Sequence, residues 1–345
     1  MIELSIPKHL IDKVKSIPEK PGIYQMKDLD GNIIYIGKSK CLNKRVRSYF
    51  YNNHQWNKIK RMVFNIYDID FIVTDTHLEA QILECALIKK IKPTYNSQFK
   101  NDKKYAYLKI EDYNKFRSLS ITQERETKHC FGPYRSKNTL LDLVDSFKNI
   151  YPIKKHENSY EFTYHPLPLT MEKDIFEKNR ECLIELFSEK ECMIKFLLQI
   201  ESKMKEASLL LQFEKASFYK DTLTILKYLS SINKSDSLKG RKILVGEKID
   251  SGYKLFYISD ENLVLKRKYP TITIQDIEEF LDQGRTVEER ITPYKNEKSS
   301  LDFKHIISTE IMSKSSKSVE FVGENFNPEL FLNQLLNCTI SSHNV

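Results

Sequence analysis

Residues 1–104 predict a small α/β domain, residues 196–235 a helical hairpin, and residues 236–345 a small α/β tail of unassigned role. Three observations carry this. The stretch PGIYQMKDLDGNIIYIGK, residues 21–38, sets Ile23, Met26, Ile34 and Ile36 around Asp30-Gly31, the pattern of a two-stranded hairpin. Thr76 followed by Glu79 makes a capping-box start, and LEAQILECALIKK then runs as a helix until Pro93 stops it. From Met171 to Ile232 nearly everything is helix-prone, with a break near residues 208–212.

The remaining elements follow in order. After the hairpin, KCLNKRVRSYF is long-chained and helix-prone, and QWNKIKRMVFNI is a further amphipathic stretch. YDIDFIVTD alternates like a strand with Ile69, Phe71 and Val73 on one side, which completes a β-β-α-α-β-α unit ending near residue 100. Residues 105–195 read as a connector. YAYLKI and SLSIT look like strands there, FGPYRS like a turn, NTLLDLVDSFKNIY like a helix, and residues 156–170 like a polar break. Past the polar linker SINKSDSLKG, the segments KILVGEKI, YKLFYI and NLVLKRKY are strand-like, and IQDIEEFLDQ and PELFLNQLLN are helix-like.

Charged residues make up 30% of the chain and hydrophobic ones 40%, and no apolar run approaches the length of a membrane span. The start, MIELSIPKHL, lacks the features of a signal peptide, so a soluble, cytoplasmic protein without a membrane partner is expected. Six cysteines fall without a CxxC pair, which suits a reducing compartment and leaves no zinc site legible. The net charge of +8 is concentrated in the first hundred or so residues, in GKSKCLNKRVR, NKIKRM, IKKIKP and KNDKK. Aromatic residues such as Tyr49, Phe50, Tyr51 and Tyr95 lie between these clusters, which fits a surface that follows a phosphate backbone. Charge alone does not separate that reading from a solvated lysine-rich surface.

The hairpin raises its own question, because Tyr24, Tyr35 and the Gly37-Lys38 ending are surplus to folding a β-ribbon. Gly22-Ile23-Tyr24, Tyr35-Ile36-Gly37-Lys38, LNKRVRSYF and ILECALIKKIKPTYN, followed by FKNDKKYAYLKI and FGPYRS, resemble the GIY-YIG nucleases of the UvrC family. The resemblance covers roughly residues 15–137, with the motifs in the family's order. It implies a fold of a small mixed sheet with flanking helices, and an endonuclease that hydrolyses a phosphodiester with one divalent ion, Mg²⁺ or Mn²⁺. By the same resemblance Glu84 binds the metal, Arg45 stabilises charge in the transition state, and Lys38 adds a point charge. Tyr35 takes a proton from the attacking water, Tyr24 positions water or phosphate, Tyr49 shares the helix face of Arg45, and Asn96 braces the site. Lys40, Lys44, Arg47, Lys89, Lys90 and Lys103 are the candidate contacts to the DNA backbone.

A second resemblance lies at residues 200–229, IESKMKEASLLLQFEKASFYKDTLTILKYL, which is similar to the UVR hairpin through which UvrC proteins contact UvrB. It implies a UvrB-like partner held by Phe213, Glu214 and Asp221, with Lys220 in place of the usual arginine. A generic amphipathic helix pair with Phe213 in its own core is the alternative.

The chain also departs from the family. The aspartate-bearing start of a second, RNase H-like nuclease domain is not found after Lys239, so one active site is expected, as in the shorter Cho-type relatives. The four cysteines that commonly follow the FGPY segment are missing, and Cys182 and Cys192 are unsuitably spaced, so no iron-sulfur cluster is expected. Ala86 stands where an asparagine is usual. The implied function is a nucleotide-excision-repair nuclease that nicks damaged double-stranded DNA 3′ to a lesion. A non-catalytic UvrB-binding adaptor and a stand-alone homing or phage-type GIY-YIG nuclease are the competing readings.

Overall fold

The computed structural model describes residues 6–50, 57–100, 102–157, 159–233, 240–290, 297–312 and 317–339; Tyr51 and residues 234–239 of the polar linker lie outside them. The chain forms two compact units, one made of residues 1–101 together with 238–345 and the other of residues 102–237.

The first unit opens with a single 3₁₀ turn leading into α1 (Ile11–Ser16), an element that its short length and flanking prolines hide in the sequence. β1 (Gly22–Lys27), β2 (Ile33–Ser39), α2 (Leu42–Ser48), α3 (Asn57–Phe64), β3 (Asp68–Val73) and α4 (His77–Ile91) follow. The sheet order is β2-β1-β3, and both pairings are antiparallel, so the sheet is not mixed. The hairpin turns where Asp28 accepts the amides of Asp30 and Asn32 and Gly31 takes φ of +81°, a conformation open to glycine at no steric cost.

Each face of this sheet is covered. Met26, Ile34 and Ile69 pack with Leu10, Val14, Leu42 and Val46 on one side, and Ile23 and Ile36 pack with Ala80 and Ile88 of α4 on the other. On β3 only Ile69 is buried, and Val73 is 42% exposed, because this edge strand outruns its cover. The capping box expected at α4 is complete. The Thr76 hydroxyl accepts the Glu79 amide and the Glu79 carboxylate accepts the Thr76 amide, while Lys92 in the left-handed conformation closes the far end just before Pro93.

The second unit contains β4 (Ala106–Ile110), β5 (Leu119–Thr122), β6 (Cys130–Tyr134), α5 (Lys137–Phe147), β7 (Lys154–His156), β8 (Ser159–Glu161), α6 (Lys173–Ser188), α7 (Lys190–Leu209) and α8 (Phe213–Asn233). Its three-stranded sheet has the order β5-β4-β6. The FGPYRS segment, expected as a turn, lies mostly in β6. Gly132, at φ of +120°, and Pro133 make an irregular register against β4, and this local break is what imitates a turn in the sequence. The polar break at 156–170 likewise contains strand, since β7 and β8 pair as a two-stranded ribbon. α7 and α8 form the expected hairpin, closed where Leu211 adopts φ of +59° and the Gln212 amide donates to the Ala207 carbonyl at 2.9 Å.

The chain then returns to the first unit with β9 (Lys242–Ile249), β10 (Gly252–Ser259), β11 (Asn262–Tyr269), α9 (Ile274–Glu288), α10 (Glu297–Met312), β12 (Lys317–Phe321) and α11 (Pro328–Asn337). These strands make an antiparallel sheet ordered β11-β10-β9-β12. One face carries α9 and α11, with Phe280 and Phe331 packed on Leu255 and Tyr257. The other carries α10, and also Leu78 and Cys85 of α4, so the late sheet shares a core with the early helix. Among the described residues, no helix is long and apolar enough to cross a membrane.

Candidate active site

The site forms where β1, β2, α2 and α4 meet. Tyr24 on β1 pairs across the ladder with Gly37 on β2, and Tyr35 lies two residues back on the same face. A Cβ at Gly37 would sit 2.2 Å from the Tyr24 hydroxyl, so glycine is what admits the ring. Gly22 is under the same constraint from its backbone neighbour, since a Cβ there would lie 2.2 Å from the Ile72 carbonyl oxygen. The two glycines of the motif are therefore clearances for close packing.

Tyr24, Tyr35 and Tyr49 form a cluster with ring centroids 5.9–6.2 Å apart. The Tyr24 and Tyr49 hydroxyls are hydrogen-bonded at 2.7 Å, whereas Tyr49 donates to Tyr35 over 3.4 Å, long for an O–H···O bond. Arg45 lays its guanidinium 5.0 Å from the centre of the Tyr49 ring, a cation–π contact that fixes its direction. Burial, and then the neighbouring Tyr49 phenol, hold both Tyr24 and Tyr35 above the ordinary tyrosine value, with Arg45 pulling the other way.

Glu84 reaches the cluster from α4. Its Oε1 accepts the Lys38 amide at 3.0 Å, and among the described residues no donor is assigned to Oε2. Burial raises the pKa of this carboxyl above its ordinary 4.5, against the opposing charges of Lys38 and Arg45 and the Lys38 amide. A half-desolvated carboxylate with one oxygen uncommitted matches the hard oxygen donor that Mg²⁺ or Mn²⁺ takes, with water filling the other positions. Asn96 grips the same strand from outside. Its Nδ2 donates to the Ile36 carbonyl at 2.8 Å and its Oδ1 accepts the Ile36 amide at 2.9 Å, completing the β2 edge one residue before Gly37.

The cations divide. Lys40, Lys44 and Lys90 are exposed, and Arg47 is half-buried at the end of α2. Lys103 is exposed in the second unit and so belongs to a different compact body from the site. Lys89 corrects the sequence expectation. It pairs with the fully buried Asp302 of α10 at 2.9 Å, so its charge is committed inside the fold and does not face DNA. The three candidate partner contacts of the helical hairpin stay outside its core: Phe213 is 66% exposed, and Glu214 and Asp221 are exposed as well.

Two residues with no role assigned from sequence share the Glu84 side of α4. His77 and Gln81 stand seven and three positions before Glu84, the spacing of one helix face, which was the available signal. His77 Nδ1 and Gln81 Oε1 are buried with no hydrogen-bond partner among the described residues. Burial, reinforced by Lys38 and Lys40, pushes the His77 pKa down to about 4, so this imidazole is neutral beside the site.

Residues 20–97 match the UvrC-like GIY-YIG domain family, and residues 194–229 match the UvrB/UvrC motif. The chain is 33% identical over 276 residues to the UvrABC system protein C of Acetivibrio thermocellus, an alignment covering 73% of this chain and 44% of that protein. It is 35% identical over 249 residues to the protein of the same name from Caldanaerobacter subterraneus, covering 66% and 40%. The chain therefore spans less than half the length of these curated relatives. Among solved structures, the GIY-YIG N-terminal endonuclease domain of UvrC from Thermotoga maritima, bound to magnesium, is 41% identical, with a TM-score of 0.24 and coverage of 26% of this chain and 99% of that one.

Proposed function

We propose that this chain, which carries a UvrC-like GIY-YIG domain and a UvrB/UvrC motif, is a cytoplasmic metal-dependent endonuclease that nicks one strand of damaged double-stranded DNA 3′ to the lesion. The observation that carries the reading is the convergence of Glu84, Lys38 and Arg45 on a cluster of three tyrosines. A carboxylate, fixed cations and phenols gathered at one place are what phosphodiester hydrolysis requires.

Glu84 would hold the ion through the oxygen that the Lys38 amide leaves uncommitted. When bound there, Mg²⁺ or Mn²⁺ supplies positive charge that stabilises the phosphoryl oxygens and lowers the pKa of nearby phenols. Arg45, held by the Tyr49 ring, presents a planar fork to the same oxygens. Tyr35 is the base for the attacking water. Tyr24 is almost wholly buried and tied to Tyr49, which suits it to orienting that hydroxyl. Lys40, Lys44, Lys90 and Arg47 track the backbone of the bound strand.

The partner reading rests on the α7–α8 hairpin. Leu209, Leu210, Leu211 and Phe213 stand 61–84% exposed at its turn, beside the exposed Glu214 and Asp221. An exposed apolar tip fits a UvrB-like hairpin better than a self-contained helix pair, in which Phe213 would be covered. We also read no iron-sulfur cluster, because the four cysteines that commonly follow the FGPY segment in the family are missing here.

The test is incision of a lesion-bearing duplex in the presence of the UvrA and UvrB proteins and Mg²⁺. Wild type should nick on the 3′ side, and Glu84→Gln should not. Equal nicking by the two removes the assignment. Partner binding with no cleavage favours the adaptor reading, and sequence-specific cutting without any partner favours the homing-type one.

A further inference from the structure

α4 is apolar on two sides. Ala80 and Ile88 face its own sheet, whereas Leu78 and Cys85 turn away from it and are fully buried against Val245, Phe256 and Ile307. A helix buried on both faces needs two covers, and the second cover comes from residues more than a hundred and fifty positions later in the chain.

Ion pairs lock this second contact. Lys254 on β10 is 6% exposed and places its ammonium 2.8 Å from Asp75 and 3.1 Å from Glu79. Glu79 is thereby a junction, because its Oε2 caps the amides of Asp75 and Thr76 and its Oε1 receives Lys254 and Lys266. Lys268 closes on the other oxygen of Asp75 at 3.0 Å. At the opposite end of the helix, Lys89 meets the buried Asp302.

We propose that β9, β10, β11 and α10 form an intramolecular brace for the metal-binding helix, with Lys254 as its central positioning residue. This rests on the assignment of Glu84 as the metal ligand. The reasoning is geometric. Glu79 and Glu84 lie on one rigid helix about 7.5 Å apart along its axis. Holding the first turn by its cap, and the back by Leu78 and Cys85, fixes both the rotation and the axial position of α4. Those are the two freedoms that would carry the Glu84 carboxylate away from the Lys38 amide and Arg45. Supporting contacts behind a metal ligand commonly change metal affinity by about 10–100-fold when removed.

The experiment uses the full chain, with Lys254→Met, Lys254→Arg, Glu79→Gln and Glu84→Gln compared against wild type. Mn²⁺ binding is followed by electron paramagnetic resonance, and amide hydrogen exchange is measured without metal. Lys254→Met should raise the Mn²⁺ half-saturation concentration about tenfold. It should also speed exchange in the first two turns of α4 by a similar factor while leaving α7 and α8 unchanged. Lys254→Arg should recover most of both effects, which a loss of general stability would not. Should Lys254→Met fail to fold, Glu79→Gln, which keeps the shape and removes the charge, should show the same pair of effects. Wild-type Mn²⁺ binding and wild-type α4 exchange in the folded variants would overturn the brace. If Glu84→Gln binds Mn²⁺ as wild type does, the metal assignment fails instead, and α4 exchange still decides whether the brace exists.

Discussion

The two faces of α4 use carboxylates in opposite ways. Toward β2, Glu84 is half-desolvated, accepts one backbone amide and keeps an oxygen uncommitted, so burial raises its pKa and its charge is held at a cost. Toward β10, Glu79 and Asp75 are saturated by a capping box and three lysines, and the Asp75 carboxyl sits below its ordinary value because Lys254 and Lys268 outweigh burial. A carboxylate meant to bind something is left under-satisfied, and a carboxylate meant to hold the fold is not. One helix separates the two by five residues.

Substitutions can break this contrast from either side. The largest expected effect is at Glu84. Glu84→Gln should lower nicking by at least about 10³-fold, in line with the loss of a charge that holds a catalytic ion. Because the metal-free fold carries that charge at a cost, the same variant should unfold at the wild-type temperature or above it in a calorimetric scan without metal. A lowered unfolding temperature would place Glu84 with the structural carboxylates. Next, Leu78→Ala on the opposite face should destabilise the protein by about 2–4 kcal/mol through the cavity it leaves, read from denaturant midpoints. Gly37→Ala should cost about 1–3 kcal/mol, because its new methyl group meets a Tyr24 hydroxyl that is buried and cannot yield.

Acid provides a finer separation. The Glu84 pKa is raised, so metal-free stability from its protonation is full below 4.5 and lost as pH rises through the folded value. Asp75 is lowered, so its contribution is present above 3.8 and lost as pH falls through the folded value. Mn²⁺ binding should therefore weaken on acidification before the α4 brace loosens, which hydrogen exchange and metal binding measured over the same pH series would show. The smallest expected effect on stability is at Phe213→Ala in the hairpin. This exposed ring should change unfolding by no more than about 0.5 kcal/mol while weakening partner binding about tenfold, measured by titration with UvrB.

Local chemistry explains what was legible without coordinates. The Asp30-Gly31 turn, the Thr76–Glu79 capping box, the stop before Pro93 and the break between α7 and α8 are each written within a few neighbouring residues, and each stands where the pattern placed it. Tyr24, Tyr35, Arg45, Glu84 and Asn96 were singled out only because the ordered motifs resemble those of the GIY-YIG nucleases; residue type and spacing alone leave them ordinary strand aromatics and helix-edge charges. Gly132-Pro133 misled because a register irregularity inside a strand and a true turn use the same residues.

Other features needed the folded chain. Lys89 read as one more cation in IKKIKP, and nothing near it in sequence announces Asp302. The second buried face of α4, formed by Leu78, Ile82 and Cys85, emerges only with the late sheet that covers it. Sequence alone thus determined most of the helices and strands and the α4 cap, because those depend on backbone preference and near neighbours. Only the tertiary structure decided which lysines face outward, why glycine is required beside Tyr24, and that the late sheet closes on the early helix. Those outcomes depend on long-range burial and charge pairing, whose partners lie as far apart as Asp75 and Lys268.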